Sequence, residues 1–160
     1  FTDKNQMKAK MKETSYVMIK PEFANKSIVI LLVKEKLAAN GIKVEEAGYI
    51  QYDKEHARQH YCKHVNQEYF PQLEKYITSD KAYGMVVSGD NAIEKIRKLC
   101  GSTKNPEKGT IRYNIPTLLH LPIRVTENVV HSSDSPEAAE HEIAIFRELK
   151  KEFVKNDQTK

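Results

Sequence analysis

Residues Asn128–Phe146, NVVHSSDSPEAAEHEIAIF, contain the strand and the helix on which the interpretation of the fold depends. The apolar pair before His131 is typical of a strand end, and Pro136 after Ser135 is typical of a helix start. His131 therefore lies between a strand and a helix N-terminus, whose free N–H groups attract anions. This position fits acid–base or nucleophilic chemistry beside a phosphate, and it also fits a structural histidine with a hydrogen-bond partner.

Glu142 has an unusual position on the predicted last helix. Successive residues of a helix turn by about 100°, which puts Glu142 near the middle of an apolar face. A carboxylate there is costly unless it has a partner. It either reaches water through a gap in the packing or accepts a hydrogen bond from a histidine ring, leaving the other ring nitrogen basic. The apolar face consists of Ala138, Ala139, Ile143, Ile145 and Phe146.

The rest of the chain alternates between strand-like and helix-like segments. The predicted order is β-α-β-α-α-β-α, a long loop, and then β-α. Four short strands with helices predict an α/β (α+β) fold: a ferredoxin-like four-stranded antiparallel sheet flanked by helices. IVILLV (Ile28–Val33) fits both the first helix and a buried strand. The predicted strands are Thr14–Lys20, Ile42–Tyr52, Ala82–Ser88 and 128–131, and the helices are Ser27–Asn40, 54–64, 69–78, 90–100 and the stretch from Pro136.

Capping residues and one long connection complete this outline. Asp53 and Asp90 are predicted to cap helix N-termini, and Gly101 is predicted to follow a helix C-terminus. The long inserted loop before the last strand, Gly101–Glu127, exceeds the roughly 12–15 residues of ordinary connections, which favours a functional segment. Its basic residues are Lys104, Lys108, Arg112 and Arg124.

Length and charge limit the possible classes of protein. The 160 residues predict one compact domain over 14–146, with a flexible basic extension at 1–13 and a charged tail at 147–160. The net charge of +4 comes from the two ends, while residues 14–146 are neutral. A basic stripe for nucleic acid is therefore not expected. No apolar run approaches the roughly 18 residues of a membrane span. Two cysteines give no disulfide framework, so a cytoplasmic location is expected.

Several other polar residues attract attention. His56, His60 and His64 recur at helical spacing, but no carboxylate or cysteine completes a zinc site on their face, so a solvated face is predicted. Arg97 lies at the edge of an apolar stripe, where it either packs its aliphatic stem or faces a phosphate. Lys20, at the end of the first strand, would suit a phosphate if other basic groups converge there.

Five motifs, in this order, resemble those of the nucleoside diphosphate kinases: YVMIKP, HY…YFPQLEKYI, IRKLCGST, GTIR and NVVHSSDSPEAAEHEI. The resemblance covers about 14–146. It implies that His131 is the nucleophile of a ping-pong reaction, taking the γ-phosphate of a nucleoside triphosphate as phosphohistidine and passing it to a nucleoside diphosphate.

The resemblance also implies roles for other residues. Glu142 would hold His131, and Ser133 would lie beside it. Tyr69 would stack on the base, and Leu73 is assigned to the same nucleotide-binding set. Mg²⁺ would arrive with the nucleotide rather than on protein side chains alone, and a homo-oligomer is expected. Phosphate, sugar and transition-state contacts are assigned to Lys20, Tyr61, Arg97, Thr103, Arg112 and Asn128.

Some positions depart from the family pattern. Glu22-Phe23 replaces Asp-Gly, Ser132 replaces a glycine after the histidine, and Tyr113-Asn114 replaces Gly-Asp. The loop length also differs, and Leu119 is assigned to the second face of the base. These changes motivate an alternative, a non-catalytic nucleotide-binding scaffold of the same fold. A nucleic-acid-binding protein, suggested by the basic ends, is a third hypothesis.

Overall fold

The structure is a computed structural model that describes residues 11–158. Four strands form one sheet: β1 (Lys12–Ile19), β2 (Lys43–Ile50), β3 (Ala82–Asp90) and β4 (Val130–Ser132). The strand order is β2-β3-β1-β4, and every neighbouring pair is antiparallel. Within residues 11–158 the helices are α1 (Ser27–Ala39), α2 (Lys54–His60), α3 (Phe70–Thr78), α4 (Ala92–Cys100), α5 (Ile111–Leu118) and α6 (Pro136–Gln158). The predicted fold class, a four-stranded antiparallel sheet flanked by helices, is confirmed.

β1 is the centre of the hydrophobic core because both of its faces are covered. Side chains alternate across a strand, so Tyr16 and Met18 join one core cluster while Val17 and Ile19 join the other. The first cluster includes residues of α2, α3 and α6, and the second includes residues of α1, α4 and α5. Each of these four β1 side chains is fully buried. The sheet is thus a middle layer, and the ends of β1 and β4 face the space between the helices.

The predicted elements agree with the structure in type, and several caps are confirmed. IVILLV lies within α1, so the helical interpretation is correct. The Asp53 side chain accepts from the His56 amide at 2.7 Å, and Ser135 Oγ accepts from the Ala138 amide at 3.0 Å. Gly101 follows α4 with φ 89, a conformation that glycine adopts easily.

Three local predictions are wrong. The segment Gly101–Glu127 is not loop throughout, because α5 forms inside it even with Pro116 in its interior. The second helix ends at His60 rather than at residue 64. Asp90 does not cap α4: it ends β3, and Asn91 precedes the helix in a left-handed conformation without a side-chain cap.

The ends of the chain are partly described. Residues 1–10 of the predicted basic extension lie outside the described residues, whereas β1 already begins at Lys12. The predicted charged tail continues α6 as helix through Gln158, with residues 159–160 outside the described part. Within residues 11–158, none of the helices combines the length and the apolar character that crossing a membrane requires.

Candidate active site

His131 lies in the middle of β4, and Glu142 reaches it from the second turn of α6. The distance from His131 Nε2 to Glu142 Oε1 is 2.7 Å. Ser133 Oγ donates to the same oxygen at 2.8 Å and accepts from the Tyr16 amide at 3.1 Å. A carboxylate that already receives a hydroxyl proton favours the tautomer in which Nε2 carries the hydrogen. Of the two possibilities for Glu142, contact with a histidine is therefore the correct one.

The electrostatic surroundings keep His131 neutral. Burial, followed by the nearby charges of Lys20 and Arg112, lowers its pKa to about 3. At neutral pH the ring is therefore an uncharged imidazole. Its Nδ1 forms no hydrogen bond with any residue between 11 and 158. An imidazole with a bonded Nε2–H and a free Nδ1 lone pair is a nucleophile or a base.

Lys20, directly after β1, places a cation near His131. Its Nζ donates to Asn128 Oδ1 at 2.7 Å and to the Thr126 carbonyl at 3.2 Å. Asn128 is oriented in turn, because its Nδ2 donates to the Val125 carbonyl at 2.7 Å. Burial, followed by the charge of Arg112, lowers the pKa of Lys20 to about 7. A buried cation whose partners are neutral oxygens is suited to an anionic ligand.

A strained turn connects Asn128 to His131. Val129 has φ 81, and the Val130 amide donates to the Asn128 carbonyl at 3.0 Å, which together form a γ-turn. Positive φ is unfavourable for a β-branched residue. The Val129 carbonyl accepts from the Lys20 amide at 2.8 Å, so the turn is fixed to the end of β1. Ser132, where a glycine was expected, is not among the residues with positive φ and pairs with Val17 in the sheet, so its backbone does not require glycine.

Two buried donors near His131 have no hydrogen-bond partner among the described residues. Arg112, on α5, donates from Nη1 to the Gly101 carbonyl at 2.5 Å and from Nη2 to the Val130 carbonyl at 2.8 Å, but its Nε is unpaired. The Tyr61 hydroxyl is also unpaired, and the Tyr61 ring centroid is 5.8 Å from that of His131. Burial raises the pKa of Tyr61 well above its usual range, so the hydroxyl remains a donor. Buried unpaired donors are costly, which indicates that a ligand satisfies them.

A cavity of about 1040 Å³ opens in front of His131 and contains three of the other predicted residues, Arg97, Thr103 and Arg112. Its walls are mainly polar and mix charges of both signs. This volume is at the upper end of ordinary small-molecule sites. The other polar and charged lining residues are His64, Glu94, Lys98, Ser102, Asn105, Glu107, Thr110, Ser132 and Asp134.

Three residues predicted to contact the nucleotide, two of them through its base, do not line this cavity. Tyr69 is 45% exposed, and its hydroxyl bonds to Nδ1 of His64, which does line it. Leu73 is buried in the core cluster with α2 and α6. Leu119, which ends α5, is partly buried against the other core cluster. The residues predicted to contact phosphates are therefore gathered around His131 to a greater extent than the residues predicted to contact the base.

The prediction of a solvated histidine face is wrong for His56 and His60, whereas His64, which lies beyond the end of α2, is exposed. His56 is buried between Asp53 and Glu148, and His60 is buried with its ring centroid 4.4 Å from that of His131. His60 is thus part of the site that sequence reasoning missed. Ala57, three residues earlier on the same helix face, is apolar and could have indicated an inward face.

Comparisons with known proteins agree with this geometry. A family model described as nucleoside diphosphate kinase matches residues 13–151. A nucleoside diphosphate kinase of Listeria welshimeri is 37% identical over 139 residues, 85% of this chain and 89% of the relative. One from Thermoplasma acidophilum is 35% identical over 138 residues, 85% and 88% of the two chains. The solved nucleoside diphosphate kinase of Halobacterium salinarum, in complex with CDP, has a TM-score of 0.75 at 30% identity, covering 85% and 88%.

Proposed function

This chain belongs to the nucleoside diphosphate kinase family, and on that premise we propose how its own residues carry out the reaction. The protein is a phosphotransferase that moves the γ-phosphate of a nucleoside triphosphate to a nucleoside diphosphate. The observation that carries the mechanism is the 2.7 Å contact from His131 Nε2 to Glu142 Oε1. That contact supports a proton on Nε2, which would leave the Nδ1 lone pair for the substrate.

The reaction then has two halves. Nδ1 of His131 attacks the γ-phosphorus, so a P–N bond forms while the bond to the β-phosphate oxygen breaks, and the nucleoside diphosphate leaves. A terminal β-phosphate oxygen of the second diphosphate then attacks the phosphohistidine and breaks the P–N bond. Glu142 accepts the Nε2–H hydrogen bond throughout and offsets the positive charge that the ring acquires.

The cations and unpaired donors hold the transferred group. Phosphoryl transfer depends mainly on positioning and on charges that stabilise the transition state. Arg112 and Lys20 are the two cations that most lower the pKa of His131, and the unpaired Arg112 Nε and Tyr61 hydroxyl supply hydrogen bonds. We assign Arg97 and Thr103 to the distal phosphates, because both line the large cavity. Asn128 positions Lys20 and contributes to the sugar and phosphate contacts.

The nucleotide brings its own divalent cation, which we propose is Mg²⁺. No three metal-ligating side chains of the large cavity, as far as residues 11–158 describe it, come together as a protein cage. Arg97 and Arg112 line this cavity and would contact phosphate oxygens of the nucleotide that carries the metal. When bound, Mg²⁺ neutralises part of the phosphate charge.

To contact the base, the exposed Tyr69 side chain would move toward the cavity, and Leu73 would support it from the core. The Halobacterium relative was solved in complex with CDP. We propose that this chain accepts more than one base, because stacking does not read base edges. A cytoplasmic location and a homo-oligomer complete the proposal.

The test is the mass of the intact protein after exposure to MgATP. We expect one added phosphate on the wild type that is labile in acid, stable in base and transferred to added GDP. His131→Ala should neither gain mass nor exchange phosphate. Labelling of His131→Ala together with turnover would overturn the mechanism, whereas nucleotide binding by a wild type that never labels would favour the scaffold alternative.

A further inference from the structure

A smaller cavity of about 340 Å³ also reaches His131, and the reaction makes no use of some of its walls. His60 and Glu142 line it, and neither residue lines the larger cavity. His131 itself borders both. A small ligand can therefore approach His131 and Glu142 without passing through the proposed nucleotide site.

Three side chains of this smaller cavity form a compact set of metal ligands. His60, His131 and Glu142 each offer one ligand atom, and these atoms lie within 4.8 Å of one another. No other trio of this kind occurs in the part of the chain that the structure describes. Two imidazoles and one carboxylate, with a water in the fourth position, are a common ligand set for zinc.

His60 supplies a second, independent indication that a ligand belongs here. It is 6% exposed, and its Nδ1 shares a 2.9 Å hydrogen bond with the Tyr52 hydroxyl. Its Nε2 is buried and has no hydrogen-bond partner among residues 11–158. Tyr52 is fully buried and also bonds to Tyr16 at 3.2 Å, so the ring of His60 is held in a fixed orientation. A held imidazole with one unused nitrogen is suited to bind a metal.

We propose that His60, His131 and Glu142 form a Zn²⁺ site that inhibits the enzyme. The ion displaces the proton shared by His131 Nε2 and Glu142 Oε1, and this proton is released to solvent. The ion also takes His60 Nε2 as its third protein ligand. Water from the smaller cavity completes the tetrahedron. Besides Glu142, the cavity is lined by the carboxylates of Asp134 and Glu137 and by the one ammonium of Lys63, so its acidic groups outnumber the basic one and favour entry of a cation.

The ligands of this site differ in type from those preferred by the metal that accompanies the nucleotide. Mg²⁺ prefers six oxygen ligands in octahedral geometry, so two imidazoles do not suit it. Imidazole nitrogens favour zinc and its transition-metal neighbours. The enzyme can therefore turn over with millimolar Mg²⁺ while remaining sensitive to trace Zn²⁺.

Inhibition, unlike binding, rests on the proposed function. A metal on Nε2 withdraws electron density from the ring and makes the Nδ1 lone pair a weaker nucleophile. It also takes Glu142 away from its orienting role. Zn²⁺ binding should therefore slow formation of phosphohistidine.

Binding is tested first, on the dephosphorylated full chain without nucleotide. Equilibrium dialysis should give one Zn²⁺ per chain, and Co²⁺ should give the visible absorption of a tetrahedral complex. X-ray absorption on the zinc-loaded wild type should show only nitrogen and oxygen neighbours near 2.0–2.1 Å. A sulfur neighbour near 2.3 Å would assign the metal to a cysteine such as Cys62 and overturn the proposal, as would the absence of binding.

Variants on α2 then locate the site. His60→Gln should weaken Zn²⁺ binding by more than about 100-fold, since even the outer partners of metal ligands are worth roughly 10–100-fold. His56→Gln is the matched control: it lies one turn earlier, is paired with Asp53 and Glu148, and should bind Zn²⁺ like the wild type. Equal affinity in His60→Gln and the wild type contradicts the site.

Inhibition is measured as the rate of phosphate incorporation from MgATP with and without preloaded Zn²⁺. The wild type should slow and recover on addition of a chelator, while the rate of His60→Gln should not depend on Zn²⁺. Binding that depends on His60 without any slowing would overturn the inhibitory role and leave His131 chemistry intact. A wild type that binds Zn²⁺ but never labels would instead refute the proposed function.

Discussion

The two sides of the His131 ring are built differently. On the Nε2 side, which we call the orienting side, Glu142, Ser133 and the Tyr16 amide form a closed set of hydrogen bonds. To the other, the phosphate side, we assign Arg112 Nε and the Tyr61 hydroxyl, which are buried without partners among the described residues. The protein therefore fixes the nucleophile before substrate arrives and leaves unsatisfied the donors that the substrate completes. This difference predicts that substitutions on the two sides change different measurable quantities.

The largest effect is expected on the phosphate side. Arg112→Lys keeps a positive charge but loses the planar fork that holds two carbonyls and presents Nε. We expect kcat/KM to fall by about 10³-fold, within the range for a lost transition-state donor. Steady-state kinetics should be compared with Arg124→Lys, which alters an exposed ion pair with Glu127 and should change little. Equal loss in both variants would mean that Arg112 has no special role.

A smaller loss is expected on the orienting side. Glu142→Gln keeps the shape of the side chain but removes the charge that stabilises the phosphohistidine ring. We expect kcat to fall by roughly 100-fold, at the low end of the range for acid–base and orienting groups, with little change in the affinity for nucleotide. Glu140→Gln, on the exposed face of α6, serves as the control. A change in KM without a change in kcat would mean that Glu142 acts in nucleotide binding rather than in orienting His131.

The pH dependence tests the cation of the phosphate side. The pKa of Lys20 is lowered to about 7 by burial and by Arg112, so the ammonium loses its proton as pH rises through that value. The kcat/KM of the free enzyme should therefore decline above about pH 7, by up to tenfold for each further pH unit. Lys20→Arg, which stays charged, should have no such decline even if it is less active overall. The same alkaline limb in both proteins would assign it to another group.

The smallest effect is expected at Ser133. Ser133→Ala removes one hydrogen bond to Glu142 and leaves the Tyr16 amide without its side-chain partner. A net loss of about 1 kcal/mol corresponds to roughly fivefold in kcat and a lower Tm by several degrees. Thermal unfolding measures the change in Tm, and single-turnover labelling measures the change in rate. Ser135→Ala, which removes only the cap of α6, should lower Tm without slowing labelling.

Local sequence patterns predicted much of the fold because the relevant forces are local. The alternation of β1 and the apolar faces of the helices gave the β-α order, and Glu142 stood out because it interrupts one such face. The pattern around His131 fitted both chemistry and a structural role, and the family resemblance decided for the nucleophile and assigned phosphate contacts to Arg112.

Long-range contacts account for what the sequence did not predict. The segment that forms α5 was predicted to be loop, and packing of Ile111 and Ile115 in the core stabilises this helix even with Pro116 inside it. His60 was expected in solvent because the patterns do not reveal that Tyr52 and His131 enclose it. The γ-turn at Val129 contradicts local preference, so only the surrounding structure can maintain it.

That turn also has a consequence for motion. Strand β4 is a three-residue edge of the sheet, the kind of element that opens most readily in thermal fluctuations. The Val129 carbonyl, however, is bonded to the Lys20 amide, and Asn128 is bonded to the Lys20 side chain. Any displacement of this edge therefore carries the ammonium and the imidazole along together. The distance between charge and nucleophile is preserved while this edge of the sheet fluctuates.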